Sequence, residues 1–120
     1  MERDSLIINK DVTVIGGGPA GVCAAVSAAR EGANVALIQN RSVLGGNSSS
    51  EMRVWAVGAT AMGNNRFAAE TGIICELDLE NLYRNPEGNP YIWDALLLDV
   101  VAREQNNLEL FLNTEICEVD

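Results

Sequence analysis

Residues 16–21 read GGGPAG, directly after the short apolar run DVTVI at 11–15 and at the head of the alanine-rich stretch PAGVCAAVSAAR at 19–30. Gly16, Gly18 and Gly21 hold the spacing G-x-G-x-x-G, and the chemistry open to such a loop is the holding of a diphosphate. Gly16 allows a tight turn off a strand, Gly18 leaves the main chain open to a pyrophosphate, and Gly21 lets helix and strand pack closely. Pro19 and Ala20 fall in the first turn of the helix. Its free N–H groups and roughly half a positive charge would face the anion. Gln39 closes the next apolar run, at the place where an acid would accept from the ribose hydroxyls of an adenosine. Its amide carbonyl can accept such a bond without the charge. Asn40 stands beside it. Arg41 opens an NADP reading, because an arginine here can pair with a 2′-phosphate; it reads equally as a solvated loop charge.

These residues need elements to position them. DVTVI at 11–15 and NVALI at 34–38 are short, β-branched and apolar, as buried parallel strands are. Between them Pro19 to Arg30 forms a buried helix with Gly32 as its C-cap. The unit is a βαβ crossover of about thirty residues, and such crossovers are right-handed in nearly every case. NRSVLGGNSSS at 40–50 is a polar loop in which Ser48 and Glu51 have capping-box spacing. Met52, Trp55, Ala59 and Met62 then recur at helical spacing, although RVWAV also suits a strand, and a helix is the favoured reading. GNNRFAAETG at 63–72 is a loop. Thr71 caps a helix from about Ile73 to Tyr83, with Ile73, Ile74, Leu77 and Leu82 inward. RNPEGNP at 84–90 breaks it. Asn89 and Pro90 supply an N-cap and a proline at the first helical position. The helix they open runs to about Gln105 and buries Ile92, Trp93, Leu96, Leu97, Val100 and Val101. NLELFLN at 107–113 is a third strand, and TEICEVD at 114–120 continues extended.

The composition sets bounds on function. Apolar residues make up 48% and charged residues 21% of the 120, the balance of a packed globular chain. Seventeen acids against eight bases give a net charge of −9, which lacks the electrostatic footprint of a nucleic-acid binder or of a polybasic membrane patch. Any phosphate is therefore held by local dipoles. The opening MERDSLIINKD shows neither a secretory leader nor a membrane span, so the expected setting is cytoplasmic. Cys23, Cys75 and Cys117 are widely spaced and the chain has no histidine. That disfavours a zinc site, a redox dithiol or a Cys–His nucleophile, and no metal is expected; each cysteine reads as a small buried hydrophobe.

Taken together, VTVIGGGPAGVCAA at 12–25, LIQNRSVLGGNSSSE at 37–51, ETGII at 70–74 and LELFLNTEICEV at 108–119 resemble the FAD-dependent oxidoreductases of the glutathione-reductase-type flavoprotein fold. The likeness is greatest to the group related to the flavoproteins of fumarate reductase and succinate dehydrogenase. The second glycine pair after the strand is more specific to flavoproteins than the first loop. The fold class is then α/β, a Rossmann-like βαβ dinucleotide-binding fold with a parallel sheet, and residues 1–120 form a single, incomplete FAD-binding domain.

The resemblance implies FAD as cofactor. Gly16, Gly18 and Gly21 would hold its pyrophosphate and Gln39 the adenosine ribose. Gly45 and Gly46 would bring main chain close to the pyrophosphate and ribityl chain, Asn47 and Ser48 would lie beside the flavin ring, and the main chain near Ile116 would lie against the adenine. The reaction implied for the complete protein is hydride transfer between a small-molecule substrate and flavin N5. No general base stands out. Arg66 and Glu70 are the best candidates for substrate contact, and they read also as a surface ion pair. The chain departs from the family's pattern at Gln39, lacks the dithiol of the disulfide reductases, and stops before the later strands and the closing Gly-Asp segment. Because a parallel sheet needs both faces covered, the chain is expected to belong with the remainder of a larger flavoprotein or with partner surface, as in a homo-oligomer. The alternative function is an NADP-binding or non-catalytic nucleotide-binding module.

Overall fold

A computed structural model describes residues 4–59, 64 and 67–120. Its elements in chain order are β1 (Val12–Ile15), α1 (Pro19–Arg30), β2 (Val35–Ile38), a single 3-10 turn (Gly46–Ser48), α2 (Gly72–Arg84), α3 (Pro90–Ala102) and β3 (Leu108–Phe111). The three strands form one parallel sheet in the order β1-β2-β3. The α/β class and the parallel βαβ unit are as the sequence implied.

Register explains the packing. Val35 stands opposite Val12 and Leu108, and Leu37 opposite Val14 and Leu110. Since side chains alternate along a strand, Val14, Val35, Leu37, Leu108 and Leu110 share one face. That face meets the core, to which α1 contributes Val22, Ala25, Val26 and Ala29, a stripe at i, i+3, i+4 and i+7. The small alanines let α1 lie close on β1 and β2, and α2 and α3 complete the layer with Ile73, Leu77, Trp93, Leu96, Leu97, Val100 and Val101. The opposite face of the sheet is barer: Thr13 is exposed and Ile15 is 53% exposed.

The helix ends follow from sequence. Gly32 adopts φ +93°, its N–H donates to Ala29 C=O at 3.0 Å, and the Ala33 N–H donates to Ala28 C=O at 3.1 Å. This is the paired closure that a glycine just past a helix permits. At α3 the Asn89 side chain accepts from the Tyr91 N–H at 2.9 Å, with Pro90 next, as expected. The buried Asn85 holds the turn before it, accepting from the Asn89 N–H at 2.7 Å and donating to Asn89 C=O at 2.9 Å.

Several expectations are corrected. There is no helix over Met52–Gly58: Arg53 has φ +59° and Gly58 φ +66°, outside the right-handed helical region, and Met52 and Trp55 are exposed. Met62 lies outside the described residues. Leu82 is exposed, because nine residues past Ile73 is about two and a half turns, which puts it on the far side of α2. Ile92 sits to one side of the buried stripe of α3 and is exposed at 37%. Thr71 precedes α2 without a side-chain cap. Helix α3 closes at Ala102, and 114–120 follows β3 without forming a further strand. Cys117 is exposed, and Cys23 and Cys75 are half-buried. Burial, then the charge of Asp78, pushes the Cys23 thiol above its usual range, which keeps it protonated near neutral pH.

Candidate functional site

The first glycine loop grows out of β1. Gly16 at φ +104° donates its N–H to Ile38 C=O at 2.8 Å, continuing the ladder by one bond while turning the chain. Gly18 then caps α1 in an extended conformation, and a Cβ there would meet nothing within 4 Å. The main chain at this point faces open space. Gly21 is needed for the opposite reason, since a Cβ would drive into the Gly16 carbonyl. Pro19 and Ala20 complete the first turn, where helical N–H groups have no intrahelical partners.

Gln39 sits beneath this loop and is only 6% exposed. A buried amide has to satisfy both its ends. Here Oε1 accepts from the Gly17 N–H at 2.9 Å, and Nε2 donates to Val43 C=O at 3.2 Å. The side chain therefore braces the first loop against the chain leading to the second. This bracing is additional to the ribose contact that the resemblance implies for the amide.

The second glycine loop lies against the first. The Gly45 N–H donates to Gly17 C=O at 2.7 Å, and a Cβ on Gly46 would sit 3.4 Å from Gly18 Cα. Gly45 holds φ +111° and Gly46 φ +52°. A Cβ on Gly45 would come within 2.9 Å of Leu97 Cδ1. The loop is fastened to α3 by side chains: Ser48 Oγ donates to Gly45 C=O at 2.8 Å and accepts from Trp93 Nε1 at 3.0 Å, and the Ser50 N–H donates to Asp94 at 2.9 Å. Ser48 is buried and Asn47 exposed. The capping box is not formed, because Ser48 belongs to the 3-10 turn and Glu51 turns to Arg41, whose Nε lies 2.9 Å from it.

At the carboxyl ends of the strands a cleft of about 300 Å³ is lined by Ile15, Gly16, Ile38, Gln39, Asn40, Thr114, Glu115 and Ile116. The chain leaving β3 reaches it by crossing the strand ends, with the Thr114 N–H donating to Gln39 C=O at 3.0 Å and the Asn113 N–H to Arg41 C=O at 3.1 Å. Ligands of open α/β sheets bind outside the carboxyl ends of the strands. Of the expected residues, Gly16, Gln39, Asn40 and Ile116 line this cleft together, while Gly18, Gly45 and Gly46 meet beside it. Thr114 and Glu115 were missed, although their position just after β3 places them at the same edge. Glu70 stands apart and accepts from the Ala59 N–H at 2.6 Å; Arg66 lies outside the described residues.

The residues present fit a dinucleotide. Gly16 lines the cleft, and at Gly16 and Gly18 a side chain would meet nothing within 4 Å, so main chain is open to a ligand there. The helix terminus offers donors to an anion in a chain that is otherwise acidic. No helix among the described residues is long and apolar enough to cross a membrane.

Comparison with known proteins gives the chain a family. The model of the FAD dependent oxidoreductase family matches residues 11–120. Urocanate reductase of Eggerthella lenta is 32% identical over 100 residues, covering 82% of this chain and 15% of that protein. The soluble pyridine nucleotide transhydrogenase of Ectopseudomonas mendocina is 51% identical over 41 residues, 34% of this chain and 9% of that protein. The solved histamine dehydrogenase from Rhizobium sp. 4-9 superimposes with a TM-score of 0.43 at 18% identity, over 96% of this chain and 13% of that one. The chain thus spans between 9% and 15% of the length of the two relatives matched by sequence.

Proposed function

The chain belongs to the FAD dependent oxidoreductase family, and on that premise we propose that it is the FAD-binding portion of a larger cytoplasmic oxidoreductase acting on a small-molecule substrate. The observation that carries this reading is the direct contact of the two glycine loops, with Gly45 N–H on Gly17 C=O at 2.7 Å. A single glycine loop suits any dinucleotide; two loops meeting over open space suit a ligand that runs past both.

In this proposal Gly16, Gly18, Pro19, Ala20 and Gly21 present the turn and the α1 terminus to the pyrophosphate. Gln39 and Asn40 form the floor of the adenosine seat, with Gln39 holding the loop in shape at the same time. The main chain at Ile116 closes that seat from the side. Gly45 and Gly46 let the second loop approach the diphosphate and the ribityl chain, and Asn47 and Ser48 edge the flavin. When bound, FAD supplies the hydride acceptor or donor at N5. The protein supplies placement, a dipole for the phosphates and a rigid second loop. The bare face of the sheet, with Ile15 largely exposed, supports further covering by the rest of the flavoprotein or by a second copy.

The competing NADP reading rests on Arg41, which here is engaged by Glu51 through Nε at 2.9 Å and Nη2 at 3.3 Å. A titration of the purified chain with FAD and, separately, NADPH separates the two. Saturable FAD binding that Arg41→Ala leaves intact is expected. Binding of NADPH in place of FAD, lost in Arg41→Ala, would overturn the assignment.

A further inference from the structure

We propose that a second cavity, beneath the second glycine loop and lined by Ser48, Arg53, Trp55, Pro90 and Trp93, binds a small aromatic carboxylate. Only Ser48 is shared with the cofactor residues proposed above, so this site is testable without FAD.

The first argument is charge. In a chain of net charge −9, cations find acids readily. Lys10 meets Glu109, Arg30 meets Glu76 and Glu104, Arg41 meets Glu51, and Arg84 and Arg103 both meet Glu80 and Asp99. Among the described residues Arg53 alone among the cations has no carboxylate partner. Its Nε donates to Ser50 C=O at 3.0 Å and its Nη2 to Tyr91 Oη at 3.4 Å, with the guanidinium 5.9 Å from the Tyr91 ring centre. A guanidinium carries five N–H donors in a planar fork, so these two bonds orient the group and leave donors over.

The second argument is conformation. Arg53 is held at φ +59°, a costly region for a residue with a Cβ. It stays there because its N–H donates to Ser49 C=O at 2.8 Å and the Val54 N–H donates to Asn47 C=O at 2.9 Å. The second loop therefore fixes where the guanidinium sits.

The third argument is shape. The cavity is about 180 Å³, and an apolar cavity of about 150 Å³ is enough for benzene. Trp93 is buried and its Nε1–H is already used on Ser48 Oγ, so it presents apolar ring to the cavity. Trp55, itself largely exposed, and Pro90 complete the apolar lining. Two indoles and a pyrrolidine suit a flat ring, and the fork of Arg53 suits a carboxylate. A bare inorganic anion would leave the aromatic walls unfilled.

The chain's two tryptophans both line this cavity, so intrinsic fluorescence reports on it directly. Titration of the full chain with benzoate is expected to give a saturable change. Benzamide, of the same shape without the charge, and Arg53→Gln are each expected to weaken binding by about tenfold or more, as loss of a charge-assisted contact does. Arg103→Gln is expected to bind like the parent, and circular dichroism establishes that the variants are folded. The benzoate and benzamide comparison on the parent chain stands whether or not Arg53→Gln folds. No saturable change, equal binding of benzoate and benzamide, or unaltered binding in folded Arg53→Gln would overturn the proposal. Loss of benzoate binding when FAD saturates the chain would also overturn it, by making the cavity part of the cofactor's seat.

Discussion

The two glycine loops meet, but they are built differently. The first is made mainly by its own neighbourhood: a strand, a left-handed glycine that continues the ladder to Ile38, and a helix that starts three residues on. The second is made at a distance. Its glycines hold positive φ because α3 packs Leu97 beneath Gly45 and fastens the loop through Trp93 to Ser48 and through Asp94 to Ser50. The first loop's one side-chain brace, Gln39, comes from the end of the neighbouring strand, whereas the second loop can be loosened from a helix some forty residues away.

The largest effect is expected where the first loop has no slack. Gly21→Val would push a branched side chain into the Gly16 carbonyl, and we expect a loss of roughly 3 kcal/mol or more, read as a collapsed denaturant midpoint. Gly45→Ala is next. It combines φ +111° with a Cβ 2.9 Å from Leu97 Cδ1, a side-chain end, and 3.1 Å from the Ser49 backbone nitrogen, and a loss of about 2 kcal/mol is expected in the same measurement. Trp93→Phe tests the remote fastening: it removes the donor to Ser48 Oγ and should cost about 1 to 2 kcal/mol. Combined with Ser48→Ala it should show clear non-additivity; strict additivity would mean that the bond does not hold the loop. Arg41→Ala should change least. The Arg41–Glu51 pair is exposed and salt-screened, and melting is expected to be unchanged within measurement at physiological salt.

The same contrast explains what the sequence disclosed. α1 was legible to the residue because proline, alanine spacing and Gly32 are local signals, and Asn89 with Pro90 announced α3 for the same reason. The βαβ unit followed from those. What failed depended on partners far along the chain. Ser48 and Glu51 had capping-box spacing, yet Trp93 claims one and Arg41 the other. Met52, Trp55 and Ala59 had helical spacing, but nothing in that spacing reveals that Arg53 is turned to positive φ by bonds around Ser49 and Asn47. Leu82 was apolar and on a helix, and only the placement of Ile73 and Leu77 tells which side faces in. Gln39 was read from its place at the end of β2 as a ribose contact, while its bracing of Gly17 required the fold to see.

The most direct test of the account is the affinity of the full chain for FAD before and after Gly18→Val, read by quenching of flavin fluorescence with melting followed in parallel. A Cβ at Gly18 meets nothing within 4 Å of protein, so the fold is expected to hold while the approach of a pyrophosphate is blocked. The account predicts saturable FAD binding by the parent chain and its loss in a Gly18→Val protein that still unfolds cooperatively. FAD binding that persists undiminished in Gly18→Val, or no FAD binding by the folded parent, would contradict it.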